Sequence, residues 1–140
     1  MPVNFSDEQI SNYDKKVKDT EPKVSIMERV NNILLKFSRV PLKEKLFFVQ
    51  HLKVMLHSGI SLSKAITTLS LQAENKYFKK VLVDIGGKIE KGNSFSSALA
   101  PYHDIFGEIF ISMIEAGELS GKLEEVLHQL FIQMKKEHKL

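Results

Sequence analysis

Apolar residues recur at steps of three and four through most of this chain, which is the period of a helix with one buried face. The clearest example has the apolar positions Leu42, Leu46, Val49, Leu52, Met55 and Leu56. No segment alternates with the two-residue period of a half-buried strand. The pattern therefore predicts an all-α fold.

Six apolar stripes follow one another after residue 40, separated by glycines, prolines and small polar residues that start or stop helices. The predicted helices run from Pro41 to Gly59, Ser61 to Ala73, Asn75 to Gly92, Ser94 to Ala100, Phe106 to Gly117 and Ser120 to His138. A turn is expected from Tyr102 to Asp104. Because short connections make neighbouring helices antiparallel, we predict a compact antiparallel six-helix bundle over residues 40–138.

Two further segments precede the predicted bundle. Residues 1–23 are rich in polar and charged side chains and have few apolar residues to offset the entropy of ordering, so we expect a flexible arm. Residues 24–39 carry one apolar stripe and predict an amphipathic helix. That helix could dock on the bundle, bind a partner or lie on a membrane surface, and its mixed charge favours docking.

Several glycines stand where the helical pattern breaks. Gly59, Gly92, Gly117 and Gly121 are predicted to end or turn helices, because glycine readily adopts the left-handed conformation of a helix C-terminus. A pair of glycines, Gly86-Gly87, lies instead in the middle of the third predicted helix, at a cost of about 1 kcal/mol each relative to alanine. A kink or a close helix contact would account for that pair.

Composition narrows the possible environments. The 140 residues are 43% hydrophobic, carry a formal charge of +3 and contain no cysteine, which excludes disulfides, thiolate metal sites and cysteine nucleophiles. The most apolar stretch, Ile109 to Ile114, is far shorter than the roughly 20 residues of a membrane span. The first ten residues lack the basic flank and apolar centre of a signal peptide. We therefore expect a cytosolic environment.

Catalytic patterns are missing from the sequence. The five histidines lack metalloprotease spacing, and the serines occur as helix caps rather than in a nucleophile elbow. The stretch from Gly117 to Leu123 has too few residues between its glycines for a phosphate loop, and Glu118 would repel phosphate. We predict no enzymatic activity, no cofactor and no metal. A deep pocket holding His51 or His57 beside a carboxylate would favour an enzyme instead.

Charge is divided unevenly along the chain. Seven lysines stand against three acids between Leu46 and Ala100, whereas six acids stand against one lysine between Pro101 and Met134. The acids nearest the last predicted turn are Glu115, Glu118, Glu124 and Glu125. They could form a solvated face, orient a protein partner or hold a hard cation; we take partner binding as the hypothesis to test.

Three blocks of sequence occur in a characteristic order. They are FVQHLKVMLHSGISLSKAI at residues 48–66, IEKGNSFSSAL at residues 89–99 and MIEAGELSGKLEEVL at residues 113–127. Together they resemble the cytoplasmic domain of the type II secretion system protein F family, over roughly residues 41–137. The most distinctive part is the Ala-Gly-Glu-x-Ser-Gly-x-Leu block at residues 116–123.

The resemblance implies an inner-membrane platform protein of a type II secretion or type IV pilus machine. In that family the domain is a six-helix bundle that occurs twice per polypeptide, precedes a membrane span and has no enzymatic activity. Its implied role is to couple a cytosolic assembly ATPase to the polymerisation of pilin or pseudopilin subunits. The implied partners are that ATPase, other platform subunits, further copies of itself and, through segments outside this chain, the membrane. The basic ending at Lys135, Lys136 and Lys139 suits the cytosolic flank of a span.

Two other classes of function stay open from the residues alone. A sequence pI near 9.0 and short helix pairs would suit a helical nucleic-acid-binding module, but the basic residues are scattered and the last hairpin is acidic. A small helical enzyme would need a converging nucleophile, base and acid. We expect no nucleic acid among the partners.

Overall fold

The computed structural model describes residues 40–138 together with Ile26 and Arg29. The chain divides into two units, residues 1–38 and 39–140. In the first unit, Ile26 and Arg29 are helical. The predicted arm over residues 1–23 lies outside the described residues, as does the predicted helix over residues 24–39 apart from those two positions.

Helices make up the second unit. Its α-helices are α1 (Leu42–His57), α2 (Leu62–Gln72), α3 (Lys76–Glu90), α4 (Phe95–Leu99), α5 (His103–Phe106), α6 (Glu108–Ser120) and α7 (Leu123–His138), with a 3-10 turn at Ala100–Tyr102 between α4 and α5. No strand occurs in the described part of the chain. The all-α prediction is therefore confirmed, and each of the six predicted helices has a counterpart. Of the helices described, none combines the length and apolar character that a membrane span requires.

Local side-chain chemistry sets the starts of two helices as the sequence predicts. The Asn75 side chain accepts a hydrogen bond from the Phe78 amide (2.9 Å) at the start of α3. At α4, the Ser94 hydroxyl accepts one from the Ser97 amide (3.1 Å). Each bond satisfies an amide that has no partner within its own helix. Ser61 precedes α2 but makes no such side-chain bond.

The boundary between the last two helices differs from the prediction. Gly117 does not end α6, which continues to Ser120, and α7 begins at Leu123 rather than at Ser120. Gly117 is buried inside α6, where a Cβ atom would lie 2.9 Å from Val126 Cγ2. Its lack of a side chain therefore serves close packing between α6 and α7. The helix ends at Gly121, whose φ of +70° is the left-handed conformation that glycine tolerates best.

The expected turn at Tyr102 to Asp104 is also wrong. The chain there continues as the 3-10 turn and then as α5. Pro101 ends α4, but it stands in the first turn of the 3-10 segment, where no amide is needed from it. Pro101 therefore ends the α-helix as predicted, but the chain continues as a 3-10 turn instead of a loop.

The core is formed by every helix longer than one turn. Its fully buried large side chains are Phe48, Val49, Leu52, Ile66, Phe78, Val81, Leu82, Ile85, Phe95, Leu99, Ile114 and Leu127. The rings of Phe48 and Phe78 meet edge to face at 5.8 Å, an arrangement that aromatic pairs favour. At Gly86, a Cβ atom would lie 2.8 Å from Thr67 Oγ1. A close contact between α2 and α3 therefore explains Gly86, whereas nothing lies within 4 Å of such an atom at Gly87.

The first and last helices of this unit pack against each other in opposite directions. Leu42 at the start of α1 lines a groove with Met134 near the end of α7. At the other end of the same pair, His57 of α1 contacts Glu124 in the first turn of α7. The α6–α7 turn is consequently held beside the end of α1, although the two are far apart in sequence.

Candidate functional site

The four carboxylates that the sequence analysis proposes for partner binding lie on two helices. Glu115 and Glu118 are in the last two turns of α6, and Glu124 and Glu125 are in the first turn of α7. Glu115, Glu124 and Glu125 are exposed, while Glu118 is half-buried. Between the two helices the Lys122 amide donates to the Gly117 carbonyl (2.9 Å), which closes the turn after Gly121. The turn therefore has a fixed geometry.

Glu118 faces into the chain. Its Oε2 accepts a hydrogen bond from the Phe95 amide (2.7 Å) and its Oε1 accepts one from the Ser96 amide (2.8 Å). These amides are the first two of α4 and have no partner within that helix, and the carboxylate also complements the positive end of the helix dipole. Glu118 therefore joins α6 to α4, a role that sequence reasoning missed.

Glu124 lies beside a histidine from the opposite end of the sequence. Its Oε2 is 3.2 Å from His57 Nδ1, and the two side chains are 48% and 83% exposed, respectively. Solvent screens such a pair, so it contributes little to stability. The contact nevertheless places Glu124 and the end of α1 on one surface.

One turn before His57 in α1 and one turn after Glu124 in α7, Lys53 Nζ lies 3.1 Å from His128 Nδ1. A lysine ammonium can only donate, so His128 Nδ1 is the acceptor in this contact. The Lys53 ammonium also lies 5.6 Å from the Phe131 ring centroid, within the range of a cation–π interaction. These contacts arrange a row of polar groups along the seam between α1 and α7.

Two shallow grooves meet at Glu124 and Glu125. The groove between α1 and α7 is lined by Lys53, Val54, His57, Ser58, Glu124, Glu125, His128 and Gln129. The groove over the α6–α7 turn is lined by Leu56, Gly117, Glu118, Gly121, Lys122, Leu123, Glu124 and Glu125. We call Glu124, Glu125 and these two grooves the acidic surface. Glu115 lines neither groove, so the structure does not bring all four carboxylates together.

The histidines do not form a catalytic arrangement. His51 Nδ1 lies 2.8 Å from the Phe47 carbonyl oxygen of its own helix, and its ring stacks on Phe47. His57 does lie beside a carboxylate, but on an open surface rather than in a deep pocket. Among the residues that the structure describes, no three His, Asp or Glu side chains converge as a metal site requires.

Comparison with known proteins gives a family match over most of the chain. The family model of type II secretion system protein F matches residues 48–140. This chain is similar to the type IV pilus assembly protein PilC of Myxococcus xanthus, with 34% identity over 104 residues, 74% of this chain and 25% of the relative. It is 35% identical to PilC of Thermus thermophilus over 99 residues, 71% of this chain and 24% of that protein.

A relative from secretion rather than pilus assembly is also similar. Type II secretion system protein F of Vibrio cholerae is 33% identical over 81 residues, which cover 58% of this chain and 20% of that protein. The chain thus spans about a quarter or less of the length of the curated relatives it matches. The names of these proteins point to structural components of secretion and pilus machines rather than to enzymes.

Proposed function

Because this chain belongs to the type II secretion system protein F family, we propose that it is the cytoplasmic domain of an inner-membrane platform protein. In this role it is a non-enzymatic scaffold in a type II secretion or type IV pilus machine. It couples the cytosolic assembly ATPase to the polymerisation of pilin or pseudopilin subunits. Other platform subunits and further copies of the same protein complete its set of partners, and segments outside this chain hold it to the membrane.

Family membership is the observation that carries this proposal, and the acidic surface supports its finer part, the contact with the ATPase. Glu124 and Glu125 are exposed on the first turn of α7, while Leu127 and Leu130 of the same helix are buried in the core. The carboxylates are therefore presented to solvent on a helix that packing fixes in place. Lys53 and Lys122 also line the two grooves, so the adjacent carboxylates Glu124 and Glu125 are the groups that would attract basic residues of a partner.

A coupling role requires that a force applied at this surface reach the rest of the domain. The turn that carries the acidic surface is joined to α4 by Glu118, and α7 is held in the core by the buried side chains of Leu127 and Leu130. Close-packed interiors have low compressibility and transmit displacement. A push on the turn would then move the domain as a body, which supports a scaffold rather than a flexible tether.

A binding experiment with the assembly ATPase of the same organism tests this function. The immobilised 140-residue chain should retain the ATPase at low salt, and charge reversal by E124K/E125K should remove most of the retained protein. The matched control is E74K/E137K, which reverses two exposed carboxylates outside the acidic surface and should leave retention unchanged. Failure of the unchanged chain to retain the ATPase, or equal retention by both variants, would contradict the proposal.

A further inference from the structure

Three helix ends come together on the side of the bundle away from the acidic surface. Glu44 Oε1, in the first turn of α1, accepts hydrogen bonds from the amides of Glu74 and Asn75 at the start of α3 (2.8 Å each). Leu42, also in that turn, shares a groove with Met134 and Glu137 of α7. The starts of α1 and α3 and the end of α7 therefore form one end of the bundle.

Exposed lysines are concentrated on these helix ends. We call this region the lysine-rich end and define it by Lys43, Lys76, Lys79, Lys80, Lys135 and Lys136, all of which are exposed. None of them takes part in the three ion pairs found among the described residues. The exposed carboxylates nearby are Glu74, Asp104, Glu108 and Glu137. The region therefore carries six ammonium groups and four carboxylates, and its net charge is positive.

Two large aliphatic side chains are exposed at the same end. Leu71 in the last turn of α2 is 72% exposed, and Ile109 in the first turn of α6 is 69% exposed. Ile109 lines the groove that contains Leu42, and Leu71 is three residues before Glu74. Exposed apolar side chains on the same face as several lysines are typical of surfaces that enter the boundary between headgroups and acyl chains of a bilayer.

The type of cation distinguishes a bilayer from a nucleic acid. Residues 40–138 contain lysines and histidines but no arginine. Lysine is a compact point charge, whereas the planar fork of arginine recognises phosphates and bases in pairs of hydrogen bonds. Charges spread over three helix ends, with the exposed aliphatic side chains Leu71 and Ile109 at the same end, fit the diffuse negative field of anionic headgroups better than a stacked nucleic acid.

We propose that the lysine-rich end binds the surface of a bilayer containing anionic phospholipids, with Leu71 and Ile109 entering its interfacial layer. The attraction of each lysine to such a surface falls off within a Debye length. Binding in this orientation leaves Glu124 and Glu125 on the opposite end of α7, turned away from the negative headgroups. This inference concerns a different face from the one proposed to bind the ATPase.

Vesicle co-sedimentation with the 140-residue chain tests the proposal. The chain should sediment with vesicles of phosphatidylglycerol and phosphatidylcholine but not with phosphatidylcholine alone, and added salt should release it. K76Q/K79Q/K80Q should weaken binding by at least about tenfold. The matched control K64Q/K91Q/K122Q removes three exposed lysines near the other end of the bundle and should leave binding unchanged.

The apolar part of the proposal has its own pair of variants. L71S/I109S should weaken binding to the mixed vesicles, whereas L119S, at a leucine that is 83% exposed near the acidic surface, should not. Equal losses in the two lysine variants would show a response to net charge alone and overturn the proposal. Tighter binding to mixed-sequence duplex DNA than to the vesicles at equal salt would overturn it as well. Retention of the ATPase is measured without lipid, so either proposal can fail while the other stands.

Discussion

Two glutamates each cap the N-terminus of another helix, one that is distant from the glutamate in sequence. Glu44 of α1 accepts from the Glu74 and Asn75 amides before α3, and Glu118 of α6 accepts from the first two amides of α4. Local caps satisfy further amides at both places, through Asn75 and Ser94. Each helix start therefore has a local cap and a remote one, and the remote cap ties two helices together.

Replacing Glu118 by glutamine should lower the stability of the domain. Glutamine keeps one carbonyl acceptor but loses the charge and the second acceptor, so we expect a loss of roughly 1–2 kcal/mol in the free energy of unfolding. Urea denaturation measures it. The exposed Glu115 provides the matched variant E115Q, which should stay within about 0.5 kcal/mol of the unchanged chain. Equal stability of the two variants would argue against the capping role of Glu118.

Tyr102 and Asp84 form a second tie, between the 3-10 turn and α3. The Tyr102 hydroxyl donates to Asp84 Oδ2, and Lys88 Nζ lies 2.9 Å from the same oxygen. Partial burial favours neutral Asp84, but the bonds from Tyr102 and Lys88 outweigh it and lower the pKa of Asp84. Burial and the bond to Asp84 raise the pKa of Tyr102. The hydrogen bond between the two side chains therefore favours a charged Asp84 carboxylate and a neutral Tyr102 phenol.

The effect of removing the Tyr102 hydroxyl should depend on pH. Asp84 has a lower pKa when folded than its unfolded value of about 3.9. Its contribution is therefore present above that value and is lost as the pH falls through the folded pKa. Y102F should destabilise the domain by about 1 kcal/mol near neutral pH. Urea denaturation near pH 3 should give a smaller difference, and a constant difference would contradict a role for charged Asp84.

At the scale of helices, periodicity predicted most of what the structure contains. The stripes from Leu42 to Leu56 and from Phe78 to Ile89 define helices whose ends lie within a few residues of the prediction. Asn75 and Ser94 marked helix starts correctly because their caps depend on neighbouring residues alone. Short-range chemistry of this kind is visible in a single sequence.

The failures at this scale come from contacts between helices. Gly117 follows an apolar stripe and so resembles a helix end, yet the approach of Val126 from α7 explains it. Glu118 resembles a surface residue, but its partners are Phe95 and Ser96. The pairing of α1 with α7, which brings His57 to Glu124, joins the two ends of the domain. No local pattern predicts such contacts, because they depend on how the helices pack.

Alanine substitutions at two helical glycines should have opposite effects. G117A gains helix propensity but places a Cβ atom 2.9 Å from Val126 Cγ2 and 3.3 Å from the Leu123 Cα atom. Overpacking typically costs about 1–3 kcal/mol, so the variant should be less stable. G87A meets nothing within 4 Å and should be more stable by up to about 1 kcal/mol.

The same denaturation experiment can include G117A/V126A, in which the second substitution removes the methyl groups that clash. V126A should then lower the free energy of unfolding less when it is made in the G117A variant than when it is made in the unchanged chain. Additive effects of the two substitutions would mean that Gly117 is not needed for the contact between α6 and α7.

At the scale of the whole domain, charge separates two ends of the α1–α7 pair. Exposed Glu124 and Glu125 lie where α7 begins, and exposed Lys135 and Lys136 lie where it ends. The sequence already places acids at the start and lysines at the end of the last predicted helix. It does not show that Lys43 of α1 and Lys76 of α3 lie at that same lysine end, because this depends on how the helices pack. The two proposed surfaces therefore lie at opposite ends and do not compete for the same residues.

Hydrogen–deuterium exchange of the 140-residue chain, with and without the assembly ATPase, shows whether the ATPase binds the domain at the acidic surface. If the domain binds the ATPase through the acidic surface, the ATPase should slow exchange in residues 53–58 and 119–129, which border that surface, and should leave residues 71–80 at the lysine-rich end unchanged. Protection confined to residues 71–80, or no change at either end when the ATPase is in excess, would contradict it.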